Sequence, residues 1–146
     1  MPATSPQDRT TPPVPNDPTV GGSSERLNEL AMSFKKSQAL SAALEVGLFS
    51  ALSAGAGTPD EVAAHCRIDR EVADRLMIIC KAMDLIADVD GRAVNLDDVE
   101  RFFVREKSTY FGDFLRFTIG AEYDEWKGFA DNIKAASSAP PPSKLY

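Results

Sequence analysis

His65 and Cys66 stand side by side, and a thiol next to an imidazole is the first pair in this sequence that could do chemistry. The imidazole would take the thiol proton and leave a nucleophilic thiolate. Sequence neighbours on a helix point about 100° apart, however, so the pair is poorly aimed, and no third group is evident to orient it. A partly exposed helix-end histidine is the favoured reading. Cys80 lies 14 residues beyond Cys66 in helical surroundings. That arrangement suits reduced cytosolic thiols better than a disulfide or a metal pair. One histidine and no C-x-x-C make a zinc site untenable. The acidic pairs Asp60-Glu61 and Asp97-Asp98 read as helix starts, where carboxylates meet the positive end of the helix dipole, rather than as general acids or bases. There is no G-x-G-x-x-G after a strand, no P-loop and no alternating βαβ pattern, so a doubly wound nucleotide cradle is not expected. The residues therefore predict no catalytic site, no cofactor and no metal.

A second kind of chemistry is recognition by aromatic surface. Nine of the twelve aromatic residues fall between Phe102 and Phe129. That is more bulk than one small helical core needs, and aromatics dominate the centres of buried interfaces. An ordinary intramolecular core is the competing reading.

These residues must be positioned by helices. One helix is expected from about Ser24 to Val46, capped by Ser24. Its first half carries Leu27, Leu30 and Phe34 as a stripe. Its second half, with Ala39, Leu40, Ala42, Ala43, Leu44 and Val46, is apolar over most of its circumference, as in a helix buried on more than one side. Gly47 breaks it, and Leu48-Phe49 lead into a short helical turn ending near Gly55-Ala56-Gly57. Thr58-Pro59-Asp60-Glu61 is a capping box with proline at the first helical position, opening a helix to about Cys66. Asp69 caps the next, Arg70 to about Asp84, with Val72, Leu76, Ile79 and Met83 recurring at helical spacing and Ala73 and Cys80 beside them. Two β-prone runs, Leu85–Val89 and Arg92–Leu96, joined by Asp90-Gly91, signal a hairpin. A short helix with Val99, Phe102 and Phe103 follows. Two more are expected after Ser108, separated at Gly120. The fold class is mainly α: a winged-helix-like bundle with one small hairpin and long terminal helices.

A winged helix invites a DNA-binding reading, with Arg70–Asp84 as the recognition helix. That helix sets Arg70, Arg75 and Lys81 against Glu71, Asp74 and Asp84, and the whole chain carries 16 Lys+Arg against 22 Asp+Glu. Nothing there supplies the excess cation that phosphate neutralisation requires, so a DNA-binding regulator is the least favoured reading.

The first 22 residues are proline-rich and poor in large apolar side chains, and are expected to be a disordered leader without the features of a secretory signal. Residues 23–138 form the domain and 139–146 a flexible tail. No apolar run is long enough to span a membrane. A cytoplasmic protein is expected.

Taken together, the run SQALSAALEVGLFSALSAGAGTPDEVAAHCRIDREVADRLMIICKAMDLIADVDGRAVNL resembles the N-terminal dimerisation domain of plant and bacterial small-molecule O-methyltransferases. The segments Asn95–Val104, Thr109–Arg116 and Tyr123–Trp126 extend the resemblance over about Leu27 to Ile133. In that family the domain intertwines with its twin, and a Rossmann-type domain behind it binds S-adenosylmethionine and holds the catalytic base. The resemblance implies a non-catalytic dimerisation or partner-binding module, a homodimer or a heteromer with a methyltransferase-domain protein, of the kind that forms the front half of a split or truncated enzyme. Candidate interface residues are Leu27, Leu30, Phe34, Leu40, Leu44, Phe111, Phe114, Phe117 and Trp126. Residues of this domain also line the substrate pocket in the family, which makes Phe34, Gln38, Tyr110, Phe114 and Phe117 candidate ligand-lining residues. An accessory protein of natural-product biosynthesis that binds a small aromatic ligand is the alternative.

Overall fold

The structure is a computed structural model, and it describes residues 24–138. The expected leader at 1–22 and tail at 139–146 lie outside the described residues. The chain divides into two units, 1–33 and 34–146.

In the first unit, helix α1 spans Ser24–Met32 and buries none of its residues. Leu27 and Leu30 are exposed on it. The single helix expected from Ser24 to Val46 is in fact two. At Ser33 both the backbone N–H and the hydroxyl donate to the Leu30 carbonyl, at 3.2 and 2.8 Å. That three-residue closure replaces the regular four-residue bond and ends the helix.

The second unit begins with α2 (Phe34–Val46) and α3 (Leu48–Ser53). Between them Gly47 takes a φ of 79°, a left-handed turn that glycine adopts without a Cβ penalty. The capping box opens α4 (Pro59–Cys66): Thr58 accepts from Glu61 N–H, and the Glu61 carboxylate accepts from Thr58 N–H. Asp69 caps α5 (Arg70–Ala82) by accepting from Glu71 and Val72 N–H. Strands β1 (Ile86–Val89) and β2 (Arg92–Asn95) pair antiparallel, Ile86 opposite Asn95 and Val89 opposite Arg92. Asp90 and Gly91 both have positive φ, as a two-residue hairpin turn demands. Helices α6 (Asp97–Phe102), α7 (Gly112–Lys127) and α8 (Phe129–Ser138) complete the order.

Helix–turn–helix followed by a wing is thus the architecture. Its core gathers Leu44, Leu48, Phe49, Val62, Met77, Ile86, Val99 and Val104 from α2 through the segment after α6. The wing is pinned to this body by hydrogen bonds. Ala93 N–H donates to the Gly57 carbonyl at 2.8 Å, and Asn95 donates to the Phe49 carbonyl at 2.8 Å. The Arg92 guanidinium donates to Gly55 O and to Glu61 at 2.7 and 2.6 Å. The Arg105 guanidinium closes the C-terminal end of α2 by donating to the Leu44 and Glu45 carbonyls. A cation at a helix C-terminus satisfies acceptors that have no partner within the helix.

Two expectations are corrected. On α5 the buried residues are Ala73 and Cys80, expected only beside the stripe, together with Met77, while the expected stripe of Val72, Leu76, Ile79 and Met83 lies one residue round. Val72 and Ile79 are exposed, while Leu76 and Met83 pack only at the edge of the core. Both stripes repeat at helical spacing, so periodicity alone does not choose between them. The small Ala73 and Cys80 let the neighbouring helices approach α5 closely. Further on, Gly120 lies inside α7 instead of separating two helices, and the break comes at Gly128. A mid-helix glycine costs only about 1 kcal/mol. Leu115, packed against the core, and Tyr123, in ring contact with Phe34 of α2, anchor the helix on both sides of it.

Candidate association surface and aromatic groove

The surface that a winged helix would offer to DNA is electrostatically closed. Arg70 pairs with Asp60 at 3.1 Å, Arg75 with Glu71 at 3.8 Å and Lys81 with Asp88 at 2.7 Å. Arg92 of the wing pairs with Glu61 at 2.6 Å. Every cation of α5 and of the hairpin therefore already faces a carboxylate of its own chain. The hydrogen bond from Arg92, followed by that from Thr58 N–H, holds the Glu61 carboxyl below the usual carboxylate range. Glu100 is also lowered: partial burial would raise it, but bonds from Asn95, Lys107 and Ser53 outweigh that.

The thiols are equally quiet. His65 is exposed and Cys66 half-buried. Burial pushes the Cys66 thiol up, and pushes Cys80, in the core, up to about 12. A thiol raised in this way is a poor nucleophile. Among the described residues no group of three or more His, Cys, Asp or Glu could hold a metal ion. No helix among them is long and apolar enough to cross a membrane.

What remains is apolar, and helix α7 organises it on two faces. Leu115, Ile119, Glu122 and Trp126 recur at helical spacing and turn one face toward α2. Close approach at its start depends on Gly112: a Cβ there would stand 2.6 Å from the Tyr110 ring and 2.8 Å from Leu44. Arg116 adds a bridge to Glu45 of α2 at 3.4 Å. Phe114 and Phe117, three apart, share the opposite face, where they are 66% and 74% exposed. Trp126, Phe129 and Ile133 continue an exposed apolar line from α7 into α8, with the Trp126 and Phe129 rings 4.6 Å apart. Nothing on α8 is buried.

The remaining aromatics are used internally. Phe49 contacts Phe103 at 5.5 Å, and Phe111 contacts Phe102 and Phe103 at 5.6 and 5.7 Å. The Tyr110 hydroxyl donates to Asp113 at 2.9 Å, and burial raises the phenol above its ordinary range.

At the far end of α7 the inner face does not close on α2, which leaves a groove of about 230 Å³. Phe34, Ser37 and Gln38 line one side, and Thr118, Ile119, Glu122, Tyr123 and Trp126 the other. The Phe34 and Tyr123 rings lie 6.5 Å apart.

The structure distributes the candidate residues unevenly. Leu27 and Leu30 are exposed on α1, and Phe34, Phe111, Phe114, Phe117 and Trp126 are exposed on the second unit. Leu40 is half-buried against the core, and Leu44, 2% exposed, belongs to the core outright. Leu44 sits where the nearly all-apolar end of α2 meets its own bundle, so it offers no surface to a second chain. Of the candidate ligand-lining residues, the groove collects Phe34 and Gln38. Tyr110, Phe114 and Phe117 lie outside it, because Tyr110 packs beside Gly112 and the two phenylalanines occupy the opposite face of α7. Sequence reasoning did not single out Thr118, Glu122 or Tyr123 for the groove, although the 115-119-122-126 spacing carried that signal. Phe129, counted in the aromatic-rich region but not among the interface candidates, and Ile133 continue Trp126 at spacings of three and four.

Comparison with known proteins converges on one group. Residues 28–106 match the O-methyltransferase dimerisation domain. The chain is 30% identical over 131 residues, 90% of its length, to 3-hydroxy-5-methyl-1-naphthoate 3-O-methyltransferase of Streptomyces sahachiroi. It is 28% identical over 108 residues, 74% of its length, to the N,N-dimethyltransferase OxyT of Streptomyces rimosus. It covers 36% and 31% of these two proteins, so it spans about a third of the length of the curated relatives it matches. Human N-acetylserotonin methyltransferase, solved in complex with SAM, shares the fold with a TM-score of 0.67 and 24% identity, over 87% of this chain and 41% of that one.

Proposed function

The chain belongs to the O-methyltransferase dimerisation-domain family, and from that membership we propose that it is a non-catalytic association module. It pairs with a second copy of itself or with a methyltransferase-type chain that supplies the cofactor domain. The observation that carries this reading is the outer face of α7, where Phe114 and Phe117 remain 66% and 74% exposed. Large aromatics left in water cost solubility, and they become favourable once an opposing surface covers them. The exposed Leu27 and Leu30 of α1 belong to the same surface class. On this reading methyl transfer depends on a domain other than the one formed by residues 24–138.

Light scattering on the purified chain, alone and co-purified with the cofactor domain of a related O-methyltransferase, tests this. A dimer or a mixed complex is the expected result. A well-folded monomer that ignores the cofactor domain, or methyl transfer by residues 24–138 alone, would overturn it.

A second reading has its own observation. The groove between α2 and α7 brings three aromatic side chains together with Gln38, which fits a small aromatic ligand held by an accessory or substrate-binding domain. Under this reading the ligand is taken up on the inner face of α7, leaving the outer face to the partner. Thermal shift against phenolic and polycyclic aromatic compounds checks it, and no shift with any of them counts against it.

A further inference from the structure

We infer that the α2–α7 groove selects planar aromatic molecules that are neutral or positively charged, and that Glu122 is the residue that turns aromatic carboxylates away. This rests on the aromatic-ligand reading above and adds the charge of the ligand to it.

The walls set the shape. Phe34, Tyr123 and Trp126 offer ring faces, and a groove of about 230 Å³ has room for a compact fused ring system but not for an extended chain. Ser37, Gln38 and Thr118 supply donors and acceptors for a hydroxyl or an amine. The charge follows from the same lining. Glu122 is the only ionisable acid or base among the groove residues apart from the Tyr123 phenol, and no lysine or arginine lines it. The nearest cation on α7, Lys127, is engaged: its ammonium lies 2.8 Å from Asp124 and 4.8 Å from the centre of the Tyr123 ring.

A carboxylate entering the groove therefore meets the Glu122 carboxylate while no lysine or arginine lines the groove to offset it, and like charges at close range repel. An ammonium or a phenolic hydroxyl meets an acceptor instead, and an ammonium also gains from the ring faces.

The test uses the full chain and three probes of similar shape: 2-naphthol, 2-naphthylethylamine and 1-naphthoate. Calorimetry gives affinities. The indole N–H resonance of Trp126, the chain's single tryptophan, reports whether the groove is the place of binding. The expected result is that the naphthol and the amine bind and shift that resonance, while the naphthoate binds at least about tenfold more weakly. Glu122→Gln narrows the gap and Glu122→Lys reverses it. Equal affinities for all three probes, or an order unchanged by Glu122→Lys, would overturn the charge selection while leaving the aromatic-ligand reading standing. Failure of all three to bind, or binding that leaves Trp126 unmoved, would overturn both.

Discussion

The helix–turn–helix body and the outer helices α7 and α8 use similar residues in opposite ways. In the body, Phe49, Phe102, Phe103 and Phe111 close on one another, and the wing is fastened by Arg92, Asn95 and the Glu61 capping box. In α7 and α8, Phe114, Phe117 and Phe129 stay exposed, and among the described residues of the two helices only Gly112 is buried. The body is complete as a single chain. The outer helices have apolar surface left over. The difference teaches that the aromatic excess of this sequence is not one feature: about half of it stabilises the fold, and the other half is available for association.

Breaking the contrast begins in the core. Leu44→Ala empties a site that is 2% exposed and should cost about 2–5 kcal/mol in a denaturant melt. Phe117→Ala, removing a larger side chain from the outer face, should change the stability of the same monomeric domain by less than about 0.5 kcal/mol. Equal losses at the two positions would erase the distinction. At the seam between the regions, Gly112→Ala drives a Cβ into the Tyr110 ring and Leu44, and should cost about 1–3 kcal/mol in thermal unfolding. Strain confined to that seam should loosen α7 while the wing keeps its protection in hydrogen exchange.

The body also carries an acid-sensitive element. Glu61 and Glu100 are lowered in the folded state from the ordinary value of 4.5. Their contribution is complete above that value and is lost as pH falls through the lowered values. Stability should therefore drop in the window below about pH 4.5, and Glu61→Gln should flatten that limb at the cost of a weakened capping box. A pH profile unchanged by Glu61→Gln would remove Glu61 from the account. The smallest effect concerns the thiols. Half-buried Cys66 should react with a thiol reagent before Cys80, whose labelling should track opening of the core. Faster labelling of Cys80 would mean that the body is looser than its packing indicates.

The sequence carried local signals best where a single residue type has a single use. Thr58-Pro59-Asp60-Glu61, the Asp69 cap and Asp90-Gly91 each announce one backbone geometry, and each appears where expected. It misled where two solutions share a period. On α5, Val72-Ile79 and Ala73-Met77-Cys80 both repeat helically, and close packing of small residues decided between them. The serine that divides α1 from α2 has no signal stronger than its hydroxyl, and the glycine at 120 looked like the one at 128. For the surface and groove, residue types were legible but their faces were not. Phe114 and Phe117 were assigned to both partner and ligand, and only the docking of α7 on α2 separates those roles.

The central claim, that the outer face of α7 is an association surface, is tested most directly by sedimentation velocity. The full chain and its Phe114→Ser/Phe117→Ser variant would be run across a range of concentrations, each alone and mixed with a related cofactor domain. The account predicts that the unmodified chain sediments above monomer mass in at least one of these settings. The variant, folded and equally stable, should have its association weakened by at least about tenfold. A monomer under every condition, or a variant that associates as well as the unmodified chain, would contradict it.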